Sequence, residues 1–157
     1  MSGIGHIGEI RIIEYLQKRE GMSIYLPLKD KGIDFVAVKG NRFYQIQVKS
    51  SMFQKDSYFW FDLYKHKMIY SENTFYIFVC ATMSRRQFMG KNENYIVVPS
   101  LDLKRWISNN AIVSKQGDEN CLNIFLYPDQ EKKRWIYKNI GKELDWTSYW
   151  NNFTYFE

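Results

Sequence analysis

Asp34, Gln47 and Lys49 are a carboxylate, an amide oxygen and an ammonium, the groups from which a divalent-cation and phosphate site can be built. Hard cations take oxygen ligands, and an ammonium is a compact positive charge for phosphate. Their spacing predicts that they meet. The run Arg42-Phe43-Tyr44-Gln45-Ile46-Gln47-Val48-Lys49 alternates polar and apolar residues. A period of two sets Gln45, Gln47 and Lys49 on one strand face, with Ile46 and Val48 on the other. Upstream, Gly32-Ile33-Asp34-Phe35-Val36-Ala37-Val38 reads as a second strand carrying one carboxylate in an apolar run. Gly40 and Asn41 between the two runs supply hairpin turn residues. An antiparallel hairpin therefore brings the three groups to one edge of a sheet.

The elements around this hairpin follow from periodicity and breakers. Residues 3–19 read as a helix, with Ile10, Ile13 and Leu16 at helical spacing, ended by Gly21. Residues 23–26 are a short strand stopped by Pro27, 57–63 a further strand, and 64–70 a short helical or turn segment. Residues 74–82 are nearly continuously apolar, the pattern of a strand covered on both faces. A strand over 95–98 stops at Pro99, and Ser100 is placed to cap a helix over 101–107 that closes at Asn109-Asn110. A late strand is expected over 122–127, paired with 111–113. Trp146, Tyr149, Trp150 and Phe153 fall at i, i+3, i+4 and i+7, which predicts a final amphipathic helix. The order reads as a mixed α+β fold in one domain spanning 1–157.

Bulk properties bound the function more loosely. The chain has 157 residues, 45% hydrophobic and 25% charged, enough to bury a core. No apolar run reaches membrane-spanning length, and no signal-peptide pattern is present at the N-terminus, so a cytoplasmic protein is expected. Cys80 and Cys121 lack metal-ligand spacing and read as reduced, buried thiols. A net charge of +5 permits a polyanionic partner, but the basic residues form no tail or arm.

Gly3-Ile4-Gly5-His6-Ile7-Gly8 matches the dinucleotide fingerprint in letters only, since that motif needs a strand before it. The glycines are expected instead to let the first helix approach a neighbouring strand or a ligand closely. Glu9 lies three, four and seven residues before Ile12, Ile13 and Leu16, on or beside the buried stripe. Two readings of it stand: a site residue, and a first-turn acid on the helix dipole.

Glu9 in a leading helix, Gly32-Ile33-Asp34, and Gln47-Val48-Lys49 in the next strand occur in an order that resembles the PD-(D/E)XK nuclease superfamily. The likeness is to its Holliday-junction-resolvase-like and Mrr-like branches, and it covers about residues 3–82. It departs at position 47, where Gln stands in place of the usual Glu. The resemblance implies a restriction-endonuclease-like central mixed sheet flanked by helices, with a C-terminal strand and an aromatic helix as extension. It implies Mg²⁺ or Mn²⁺ as cofactor and DNA as substrate, whether duplex, branched or single-stranded. Asp34 would be the principal ligand, joined by the Gln47 side-chain oxygen and the Val48 main-chain carbonyl. Glu9 would act through water or help to hold a second ion. Lys49 would orient or deprotonate the attacking water, or offset charge on the phosphate. The alternative is a catalytically degenerate nuclease fold that binds nucleic acid or protein, in which Asp34 caps a turn and Gln47 and Lys49 line a solvated face.

Arg85, Arg86 and Lys91 in one loop, and Lys65 and Lys67 around His66 in another, are candidate phosphate contacts or ordinary solvated loop residues. His6 and His66 lack metal-binding partners at useful spacing. The C-terminal aromatics have three readings: core packing, base stacking or a dimer interface. A homodimer suits cleavage of two strands by analogy with two-fold substrates, and no membrane partner is expected.

Overall fold

Alternation along Arg42–Met52 is realised as a long strand whose side chains are buried in turn on two different faces. The computed structural model describes residues 3–29, 32–53, 57–82, 87–88 and 90–157, with side chains from residue 7 onward. The first helix, α1, is Gly3–Gln17. Strands β1 (Met22–Tyr25), β2 (Phe35–Lys39) and β3 (Arg42–Met52) follow as an antiparallel meander. Gly40 turns the β2–β3 hairpin at φ 62°. β4 (Phe59–Tyr64) leaves this sheet and leads into a 3-10 turn at Lys65–Lys67. The chain then returns as β5 (Thr74–Ala81), parallel to β3, and β6 (Glu93–Pro99) pairs antiparallel with β5. The first sheet thus has the order β1-β2-β3-β5-β6 and is mixed.

Helix α2 (Ser100–Ser108) starts directly after Pro99. Ser100 does not cap it as expected; its hydroxyl accepts from Ser71 N–H at 3.0 Å and donates to Ser71 O at 2.9 Å. The short β7 (Ser114–Lys115), β8 (Asp118–Asp129), β9 (Arg134–Asn139) and β10 (Lys142–Asp145) complete the chain's strands. They form a second, antiparallel sheet, ordered β10-β9-β8-β4, with β7 beside β8. The partner of β8 is Ser114–Lys115 rather than 111–113, and Ile112 is buried in the core instead.

Two apolar layers hold these elements. Tyr76, Phe78, Ile96 and Val98 of the first sheet pack with Phe59, Phe61, Ile124, Trp135 and α2's Leu103 and Trp106. On the first sheet's other face, Phe35, Ile46, Val48 and Val79 pack with Ile12 and Leu16 of α1 and with Phe153 and Phe156. β5 is covered on both faces, as its apolar run predicts. Among the described side chains and glycines of α1, from residue 7 onward, the buried positions are Gly8, Ile12 and Leu16, whereas Ile10 is exposed. The glycine at 8 has a packing reason: a Cβ there would collide with Ser50 Oγ on β3. Gly3, Gly5 and Gly8 are all helical, and Gly8 is the one seen to approach the sheet closely.

No final α-helix forms. Residues 146–157 hold two 3-10 turns, Thr147–Tyr149 and Thr154–Phe156. Between them Asn151 takes a left-handed φ of 49° and pairs with the β6 edge, donating to Tyr95 O and accepting from Tyr95 N–H. That edge pairing competes with helix hydrogen bonds and wins, because it lets the segment feed both layers. Trp146 stacks between Trp106 and Tyr137 on one side, and Phe153 and Phe156 reach the α1 side. The terminal aromatics are therefore mainly core. Cys80 and Cys121 are buried free thiols, and burial pushes the Cys80 thiol well up. Among the described residues no helix is long and apolar enough to cross a membrane.

Candidate functional site

β2 begins at Phe35, so Asp34 stands one residue before the strand. The last registered pair is Phe35↔Ile46, and Asp34, just before it, stays bonded to β3 out of that register. Asp34 N–H donates to Ile46 O at 2.9 Å, and Val48 N–H donates to Asp34 Oδ2 at 2.6 Å. The carboxylate thus takes the place of a chain partner where β2 has run out. A strand residue's N–H and C=O point to the same side, so Val48's carbonyl opens on this same edge. Val48's side chain is buried against the α1 layer.

Gln45 and Gln47 share a strand face but differ in one respect. Gln45 Oε1 accepts from Thr74 Oγ1 at 3.0 Å, across the parallel pair with β5. The β5 residue opposite Gln47 is Tyr76, whose hydroxyl accepts from Ile69 N–H at 3.0 Å and makes no bond to Gln47. Gln47 Oε1 is buried and has no hydrogen-bond partner among the described residues. A buried amide oxygen left unmatched costs about 1–3 kcal/mol, and an oxygen-seeking cation is one group that would satisfy it. The donor set fits a hard cation: a carboxylate, an amide oxygen and a main-chain carbonyl at one strand edge. Among the described residues no cluster of three or more His, Cys, Asp or Glu side chains gathers to hold a metal.

Gly32 sets where Asp34 begins. Its φ is +86°, and a Cβ there would stand 3.0 Å from Lys67 O, so the segment before Asp34 rests directly on the 3-10 turn after β4. Between them opens a cleft of about 500 Å³, lined by Gly32, Gln47, Lys49, Leu63, Tyr64, His66, Lys67, Met68, Ile69 and Tyr76. Lys49 makes no ion pair with any described residue. Lys67 Nζ lies 5.7 Å from the centroid of the Tyr64 ring. Burial pushes the Tyr76 phenol up, against the Ile69 N–H bond that pulls it down, so it stays protonated at neutral pH.

The structure bonds Asp34 to the Val48 main chain and sets Gln47, Lys49 and Lys67 along one cleft, which Asp34 itself does not line, with Lys65 at the start of the adjoining turn. It does not bring Glu9 into the cleft. Gln47 and Lys49 face the second sheet, whereas α1 packs on the opposite face of β3. Glu9 is half-buried there, beside Gly8 and its contact with Ser50. The helix starts at Gly3, so Glu9 is beyond the first turn, and the dipole reading of it fails. Lys91 is exposed in the β5–β6 connection, bridged to Phe88, and does not line the cleft. Arg85 and Arg86 lie outside the described residues, as does the side chain of His6. Sequence reasoning gave no part to Asn120, which holds His66 by two hydrogen bonds. The two residues are 54 positions apart and no local pattern joins them. No family model, curated protein or solved structure matches the chain when it is compared with each in turn.

Proposed function

We propose that the chain is a metal-dependent nuclease that hydrolyses phosphodiester bonds in DNA, with a site of the PD-(D/E)XK kind. The observation that carries this reading is the buried, unpartnered Gln47 Oε1, one residue from the Val48 N–H that Asp34 accepts, on a cleft that also holds Lys49. The leading helix, the hairpin and the mixed sheet support it, since they stand in the order that the sequence motif requires.

A bound Mg²⁺ or Mn²⁺ would polarise the phosphate and make a coordinated water the stronger nucleophile. Asp34, Gln47 Oε1 and Val48 O are the protein atoms that would hold it. The Val48 N–H bond orients the Asp34 carboxylate before any ion arrives, so little reorganisation is left to binding. Lys49 shares the cleft with Gln47 and orients the water or stabilises charge on the phosphate. Glu9, on the opposite face of β3, is left out of this ligand set. Two-fold assembly is the proposed arrangement on duplex DNA.

The test is cleavage of duplex, branched and single-stranded DNA with Mg²⁺ or Mn²⁺ by wild type, Asp34→Asn and Lys49→Ala. Asparagine keeps an oxygen for Val48 N–H and removes the charge, so folding is preserved while the metal ligand is weakened. Loss of cleavage in both variants is the expected result. Cleavage that persists in both sinks the assignment. A second reading has one observation in its favour: the Asp34 bond to Val48 N–H gives the carboxylate a structural task of its own. In that reading the protein keeps the fold and binds nucleic acid or protein without cutting. Wild type that binds DNA but cuts none of the three substrates would select it.

A further inference from the structure

His66 lines the cleft that holds Gln47 and Lys49, and Asn120 meets both its main chain and its ring. Its main-chain N–H donates to Asn120 Oδ1 at 3.0 Å. A main-chain N–H can only donate, so the amide atom it meets is the oxygen. The other amide atom, Nδ2, then stands 2.5 Å from His66 Nδ1. An amide NH₂ cannot accept, so Nδ1 accepts and a neutral ring carries its proton on Nε2. Asn120 is itself anchored, its N–H bonded to Asp118 Oδ1 at 3.0 Å. Nε2–H makes no bond to any described residue.

We propose that His66 Nε2–H is an uncharged donor to a phosphate oxygen of DNA held in the cleft, with Asn120 as the positioning residue that fixes its tautomer. This rests on reading the cleft as a DNA phosphodiester site. Phosphate oxygens only accept, so the Nε2–H tautomer is complementary to them, whereas the other tautomer would present a lone pair. Holding the residue by main chain and ring together removes rotamer freedom before DNA arrives. Lys65 and Lys67 flank it with charge that gives affinity without geometry. His66 supplies direction.

Two measurements test this. With only two histidines in the chain, nitrogen-15 ring spectra contain two systems, and His66→Gln assigns them. The Nε2–H form at neutral pH is expected for His66; the Nδ1–H form overturns the proposal. The second measurement is binding of a fluorescent DNA duplex in an Asp34→Asn background with Mg²⁺. His66→Phe weakens binding about tenfold, the worth of one hydrogen bond to a charged acceptor. His66→Gln, which places an amide N–H near the lost one, recovers most of it. Full affinity in His66→Phe, or no recovery in His66→Gln, overturns the role. Lys49→Ala separates the two levels. If it alone weakens binding, His66 is excluded and the cleft reading survives; if neither variant weakens binding, both fall.

Discussion

Gln47 is where stability and function pull apart. Its oxygen is buried and unpartnered, while Gln45, two residues away on the same face, is satisfied by Thr74. Replacing an unsatisfied buried amide by an apolar residue of similar volume removes a desolvation cost. Gln47→Leu is therefore expected to stabilise the fold by ~1 kcal/mol and to abolish metal-dependent activity. Chemical denaturation in EDTA reads the first effect, and a destabilised Gln47→Leu would show that the amide is paired after all. Gln47→Glu makes the opposite exchange. It adds the negative charge that the site lacks, so Mg²⁺ binding by calorimetry should tighten about tenfold, ~1.4 kcal/mol. Unchanged affinity would remove Gln47 from the ligand set.

At the scale of elements, the site depends on two close approaches. Gly8 lets α1 settle on β3 over Ser50, and Gly32 lets the segment before Asp34 settle on the turn that carries His66. The second is the less forgiving. At Gly8 the neighbour is a small hydroxyl, which can rotate; at Gly32 it is the main-chain oxygen of Lys67, and φ is +86°. Gly32→Ala should cost about 1–3 kcal/mol and move Asp34 away from Val48 N–H. Hydrogen exchange at Val48 N–H reports this directly, because that amide is held by Asp34. Unaltered protection would mean that the turn and the hairpin are not coupled.

The same elements show what was readable in the residues. The β2–β3 hairpin was legible because alternation and a Gly-Asn turn agree, and strict period-two burial leaves one register. The aromatic tail was misread because i, i+3, i+4, i+7 spacing says which residues are buried, not that one helix buries them. The β9–β10 hairpin escaped notice for a different reason. Its turn places Ile140 at φ 45°, a position where Gly or Asn is the usual signal. The hold on His66 had no signal at all. It is made when β8, paired with β4 in the second sheet, brings Asn120 to it, a strand pairing that no local periodicity encodes.

At the scale of the whole molecule, the charge distribution limits how DNA can be held. The net charge is +5, and near the cleft the described cations are Lys49, Lys65 and Lys67. Each phosphate neutralised releases condensed counterions and contributes about −0.9 to the slope of log affinity against log salt. Three cations set that slope at about −2 to −3, far shallower than the steep dependence of proteins that cover six to ten phosphates. The neutral donor at His66 adds no counterion release, so His66→Phe should weaken binding equally at all salt concentrations. Lys67→Ala should instead flatten the slope by about one unit. The two variants therefore separate charge from geometry in a single titration series. A wild-type slope near −6 or steeper would place the main DNA contact on other basic residues, and the cleft would then hold only the reacting phosphate.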